Sequence, residues 1–193
     1  MRKELDELLC ARYPKIFRDR NAPMNETCMC WGFDCGDGWF NIIDQLCANI
    51  QRHIDHPIET NEHNRKYLAM VTAAREGDYT LFDEYYNNSF YKKEWLEKRK
   101  VEILTEEIPA WYSSVKEEIP QVVAMQVKEK FGTLRFYYNG GDDFIHGLET
   151  MADAMSAVTC EECGNPGVLR RGGWIRTLCD NHAEKLGYIE DEN

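Results

Sequence analysis

The chain has no apolar run approaching the ~18 residues that a membrane-spanning helix needs, so a helical membrane protein is excluded. Its opening residues, MRKELDELLC, lack the apolar core of a secretory leader, so the expected setting is a reducing cytosol. Positive charge is scarce as well. Against 34 aspartates and glutamates stand 23 lysines and arginines, and the net charge is −11. Phosphate is repelled by such a surface, which argues against a general nucleic-acid binder and leaves room only for a local basic patch. No catalytic constellation stands out, so the sequence names no reaction, and a non-catalytic protein is expected.

Cysteine is what the chain does have: eight residues, three of which stand with a histidine at metal-ligand spacing. Cys160 and Cys163 are separated by two residues, as are Cys179 and His182, with fifteen residues between the pairs. That is the donor set and spacing of a tetrahedral Zn²⁺ site. Gly164 lets the backbone fold back behind Cys163. Val168–Leu169 and Trp174–Leu178 flank Gly172-Gly173 as a short hairpin, and Cys179 opens a helix over 180–186. Turn, hairpin and helix start, each carrying ligands, predict a treble-clef zinc finger. Cys28, Cys30 and Cys35 offer a second ligand group that would need His53 or His56, although free thiols in a loop fit their spacing better. Cys47 falls in an apolar helical stripe and reads as core.

The rest of the chain predicts an α+β fold in three stretches. Residues 1–60 form a helical N-terminal region. It contains a short helix over 3–12, with Leu5, Leu8 and Leu9 on one side, and an irregular stretch over 13–27. A second helix runs from Trp39, capped by Asp37 and ended by Pro57. Residues 61–119 form an aromatic, charge-rich helical insertion, with helices over 62–75, 80–87 and 92–105, the last capped by Ser89. Residues 120–193 hold a hairpin, a helix and the finger, and end in an acidic tail from Glu190. In the hairpin Val123, Met125 and Val127 alternate with polar neighbours, and Leu134, Phe136 and Tyr138 return on one face. Asp142 caps the following helix, whose apolar stripe is Phe144, Ile145, Leu148, Met151, Ala152 and Met155.

Three surfaces compete for function. The rings Tyr85, Tyr86, Phe90, Tyr91, Trp95, Trp111 and Tyr112 exceed what short charged helices can bury, and an exposed excess would mark a protein interface. Lys128, Lys130, Arg135, Arg170, Arg171, Trp174 and Arg176 are basic and carry an aromatic ring. They could grip a nucleotide or a nucleic-acid backbone, or instead pair with Glu161, Glu162 and the tail. Asp142 and Asp143 could hold Mg²⁺ for a metal-dependent enzyme, but a cap and a first-turn acid explain them as well.

Several pieces resemble a family of small phage and prophage proteins: CGDGW at 35–39, QVKEKFGTLRFYY at 126–138, GGDD at 140–143 and GGWIRTLC at 172–179. The resemblance covers about 35–57 and 120–188. It implies a phage-like origin and action in the host cytosol, and it implies no activity. The expectation is a phage-encoded protein that binds and modulates a host protein, such as a defence or transcription factor, with self-association as an alternative.

Overall fold

The alternation of residues 121–138 folds into an antiparallel hairpin, β2 (Val123–Lys130) and β3 (Thr133–Asn139). Val123, Val127, Leu134 and Phe136 face inward and are almost fully buried. Met125 is not the inward residue that simple alternation requires. The register shifts between Ala124 and Gln126, so Ala124 is fully buried and Met125 half-buried. One extra residue in a strand turns its neighbours to the other face.

The computed structural model describes residues 1–87 and 90–188. Ser89 and the tail from Glu190 lie outside them. The chain is α+β. Its remaining elements are α1 (Lys3–Arg12), β1 (Phe33–Asp34), α2 (Phe40–Arg75), α3 (Thr80–Tyr85), α4 (Lys93–Thr105), α5 (Asp143–Ser156), β4 (Val168–Arg170), β5 (Arg176–Leu178) and α6 (Asp180–Lys185). One sheet has the order β1-β2-β3 and the other is the β4–β5 hairpin. Two compact units emerge: Met1–Ile54 with Ile119–Asn193, and Asp55–Glu118. The stretches 1–60 and 120–193 thus fall largely within one unit.

In that first unit β1 pairs in parallel with β2, Phe33 opposite Val127 and Asp34 opposite Lys128. The irregular stretch contributes Ile16 and Phe17 to the core, and the Ile16 carbonyl accepts the Ala124 N–H at 2.9 Å. Helix α1 buries Leu9 and Asp6, while Leu8 is exposed. Asp6 goes inward because Arg20 forks onto it, at 3.0 Å through Nε and 2.9 Å through Nη2, and satisfies the carboxylate there. The first half of α2 buries Ile42, Ile43, Leu46, Cys47, Ile50 and Ile54 at helical spacing against this core.

Asp37 does not cap α2. Its carboxylate accepts the Arg2 backbone N–H at 2.8 Å, and a 3₁₀ turn over Asp37–Trp39 leads into the helix. Nor does Pro57 end it, since α2 runs on to Arg75. A proline costs an interior helix about 3 kcal/mol. The turns beyond it carry the buried stripe of Tyr67, Met70, Val71 and Ala74. At about 1.5–3 kcal/mol for each large apolar side chain, that burial outweighs one missing hydrogen bond.

Helix α5 is capped by Asp142, whose Oδ1 accepts the Ile145 N–H at 3.1 Å. Its other oxygen lies 2.9 Å from His53 Nε2. Partial burial opposes the charged form, but the His53 ring and the Ile145 N–H outweigh it and hold the carboxyl below its ordinary value. The inward face is Ile145, Leu148, Ala152 and Ser156, with Ser156 Oγ accepting the Leu134 N–H. Phe144, Met151 and Met155 of the expected stripe are exposed, and Phe144 lies on the His53 ring at 4.3 Å. Asp142→Asn is expected to cost less than about 1 kcal/mol, because Asn caps as well as Asp and the lost charge is part-exposed. A lowered folded pKa stabilises above the unfolded value of 3.8 and is lost as pH falls through the folded value. Whatever gap separates wild type from variant at neutral pH therefore closes in acid melts. A gap of several kcal/mol, or a divalent cation bound between Asp142 and Asp143, would contradict the cap.

The second unit packs the end of α2 against α3 and α4 around Tyr67, Met70, Val71, Ala74, Phe82 and Ile103. Arg75 closes the end of α4, its Nε donating to the Ile103 carbonyl at 3.2 Å.

Candidate metal centre

Cys160, Cys163, Cys179 and His182 converge, their ligand atoms all within 4.8 Å of one another. Cys160 and Cys163 sit on a knuckle closed by the Gly164 N–H to the Cys160 carbonyl at 2.8 Å. Cys179 directly precedes α6, and His182 lies in its first turn. Cys163 Sγ is 3.8 Å from Cys179 Sγ, and Cys160 Sγ is 3.6 Å from His182 Nδ1. Bond lengths of about 2.3 Å to sulfur and 2.0 Å to nitrogen give tetrahedral edges of about 3.8 and 3.5 Å. The Cys179–His182 edge is shorter, 3.2 Å. The four residues therefore fit a tetrahedral metal site, with every position filled by protein.

The Cys179 thiol is held down to about 7, first by the backbone N–H of His182; desolvation works against this, and the imidazole and neighbouring thiols add to the fall. A thiol that ionises near neutral pH is ready to ligate.

The knuckle is seated on the sheet unit by bonds that ligand spacing does not reveal. Glu161 is buried; its carboxylate accepts the Gly36 N–H at 2.9 Å, and its carbonyl accepts the Gly38 N–H at 2.7 Å. Trp39 is fully buried and donates from Nε1 to the Thr159 carbonyl at 2.8 Å. Thr177 Oγ1 donates to the Gly132 carbonyl at 2.6 Å. A Cβ on Gly38 would lie 2.2 Å from the Cys160 carbonyl oxygen and 2.4 Å from the Gly164 nitrogen, and one on Gly36 would lie 2.2 Å from the Glu161 carbonyl oxygen. Two backbones packed directly together explain both glycines of the CGDGW run.

The basic residues divide. Arg176 pairs with Glu161 at 2.9 Å and with Glu162, Arg170 pairs with Asp180, and Arg135 pairs with Asp153 at 2.7 Å. Arg176 and Arg170 pair within the stretch 161–180, and Arg135 ties β3 to α5. Lys128 and Lys130 instead lie over the rings of Tyr137 and Phe131, and Arg171 is exposed. Trp174 is exposed and donates from Nε1 to Glu129.

Among the described residues the Cys160–His182 group is the single cluster able to hold a metal. Cys28, Cys30 and Cys35 do not converge with a histidine; Cys35 and Cys47 are buried. Asp142 and Asp143 form no such cluster either, Asp142 being occupied by its helix and His53.

The aromatic stretch is both core and surface. Tyr85, Tyr86 and Tyr112 pack against the second unit's core, and Tyr112 stacks on Tyr67 at 4.1 Å. Tyr91 is half-buried and stacks on Trp95 at 4.7 Å. Phe90, Trp95 and Trp111 are 84%, 40% and 66% exposed.

Among the described residues no helix is long and apolar enough to cross a membrane. No family model matches this chain, and neither a curated protein nor a solved structure matches it.

Proposed function

We propose that this chain is a non-catalytic binding protein, stapled by a structural zinc ion, that engages a partner protein through the aromatic face of residues 79–112. Zinc is the metal that three cysteines and one histidine in a closed tetrahedron suit best, and a closed site holds structure rather than activating water.

One observation carries the interface. A run of neighbouring rings passes through the second unit: Phe90 to Tyr91 (5.4 Å), Trp95 (4.7 Å), Tyr86 (5.4 Å), Tyr85 (5.0 Å), Tyr67 (6.0 Å), Tyr112 (4.1 Å) and Trp111 (5.9 Å). The middle of the run packs against core and the ends are exposed. Rings fixed from below lose little entropy on binding, which is why half-exposed Trp and Tyr serve as interface anchors. The resemblance to phage proteins suggests the partner class: a host protein of defence or transcription, met in the host cytosol. A second copy of this chain is the competing occupant.

The test is Phe90→Ala with Trp111→Ala. Each true anchor should cost about 2 kcal/mol, a 30-fold weaker complex, with metal content and melting unchanged because both rings are exposed. Sedimentation reads self-association, and titration calorimetry reads any partner recovered from host lysate. If the double variant binds as the wild type does, the rings are not anchors, and if it loses its fold they are structural; either result overturns the proposal.

A further inference from the structure

Between the β2–β3 turn and the β4–β5 loop runs a groove of about 590 Å³, lined by Asp34, Lys128–Phe131 and Gly172–Ile175. We propose that this groove binds a nucleoside phosphate, with the base on Trp174 and Phe131 and the phosphate at Lys128 and Lys130. It is a separate site from the aromatic face of residues 79–112.

Four features of the groove point to a ligand. Phe131 sits at φ +56°, the left-handed region that a bulky side chain adopts only at a cost, yet its ring is 67% exposed. The two-residue turn Phe131-Gly132 between β2 and β3 demands a positive φ at both positions, a demand Asn meets at less cost, and at this turn an apolar ring is presented to solvent. Trp174 is likewise 66% exposed, but its ring is not free to swing. Nε1 donates to Glu129 Oε2 at 2.9 Å, which fixes the indole and leaves a face for stacking. Gly173 has no heavy atom within 4 Å of a built Cβ and no left-handed φ, so nothing within the chain requires glycine there. A bare backbone at this point leaves room for a ligand to approach closely. Lys128 and Lys130 are two apart on β2 and both line the groove, their ammonium groups 5.7 Å from the Tyr137 ring and 5.6 Å from the Phe131 ring.

The two acids of the groove, Asp34 and Glu129, match the two lysines in charge. Both Glu129 oxygens already accept hydrogen bonds, Oε1 from the Gly132 N–H at 2.6 Å and Oε2 from Trp174. The lysines therefore meet a phosphate as local donors and not through a net positive field. Two rings, two cations and an open backbone meet the two halves of a nucleotide, a π-face and a phosphate. The volume lies within the usual 300–1,000 Å³ of small-molecule sites. The net charge of −11 limits the ligand to one or a few nucleotides, since a long strand would run onto acidic surface.

The experiment is calorimetric titration of the full chain with adenosine 5′-monophosphate, with a twelve-nucleotide single-stranded oligothymidine and with inorganic phosphate. Expected is a dissociation constant of about 10⁻⁴–10⁻⁵ M for a nucleotide probe, the range of phosphate-driven binding. Trp174→Ala should weaken it about tenfold or more, and Trp174→Phe should keep it, because a ring remains. Lys128→Ala with Lys130→Ala should flatten the dependence of log K on log salt by about 0.7 for each phosphate no longer neutralised. Phe131→Asn relieves the left-handed strain, so it should raise Tm by about 2–4 °C while weakening binding. A stability gain paired with an affinity loss is what a purely structural Phe131 would not give. Equal affinity for monophosphate and oligomer assigns a free nucleotide, and tenfold tighter oligomer binding assigns a strand. The proposal is overturned if neither nucleotide probe binds at millimolar concentration. Binding that ignores Trp174→Ala, or that inorganic phosphate matches alone, overturns it equally.

Discussion

Cys179→Ser, or prolonged chelation, should collapse the unit built from residues 1–54 and 119–193, and not only the finger at its end. Structural zinc contributes an apparent 10–16 kcal/mol to small metal domains, comparable with or larger than the 5–15 kcal/mol total stability of a typical domain. Loss of one ligand leaves three groups around a weakened ion and loosens the knuckle. The knuckle supplies the acceptors for the Gly36 and Gly38 N–H groups through Glu161, and for the Trp39 indole through Thr159. Those donors lie just before α2, and Trp39 belongs to the main core. We expect at least about 4 kcal/mol lost and a Tm lowered by more than about 10 °C. Near-ultraviolet signal from buried Trp39 should fade with the metal, and elemental analysis should find about one zinc per wild-type chain. A variant without metal that melts at the wild-type temperature would sink the structural role.

Gly38→Ala should come close behind. Its Cβ would meet the Cys160 carbonyl oxygen at 2.2 Å, the Gly164 nitrogen at 2.4 Å and the Cys163 nitrogen at 2.7 Å. All three are backbone atoms of the ligand turn, so no side chain can swing aside. Relief requires the knuckle to lift, breaking the 2.7 Å bond from the Gly38 N–H to Glu161. We expect about 3 kcal/mol or more, the upper end of overpacking. Gly147→Ala is the control. It lies within α5 with nothing in reach of its Cβ, so it should be neutral or stabilise by up to about 1 kcal/mol. Denaturant melts compare the two. A Gly38→Ala variant within about 1 kcal/mol of wild type would mean that the knuckle is not seated on this turn.

The parts readable in the sequence are those whose signal is local. Two pairs of ligands with two-residue gaps, a period-two hairpin and Asp142 after two glycines each depend on near neighbours, and each stands in the structure. What was not readable depends on distant partners. The strand β1 is two residues long and exists because Val127 and Lys128 lie beside it, more than ninety positions away. Asp6 reads as a solvent-facing acid until Arg20 reaches it. The bulge at Ala124 has no signature in the alternation around it. At the candidate metal centre the four converging residues were legible and their support was not. Glu161 looks like one more surface acid, although it is buried and joined to Gly36, Gly38 and Arg176. The arginines were legible as charge, but whether each would face solvent or a carboxylate depended on where α5 and α6 fell.

Residues 55–118 interrupt the sheet unit in sequence, and the chain leaves and re-enters that unit near Gln51 and Gln121. There the two carboxamides bond reciprocally, at 3.2 and 3.1 Å. Such a clasp holds the gap closed from the parent side, whatever lies between. The entropy of closing a loop rises by only about 0.6 kcal/mol for each doubling of its length. The sheet unit can thus carry an inserted segment whose length changes at little cost to its own closure. Sequence can diversify in that segment while the architecture that carries it stays fixed.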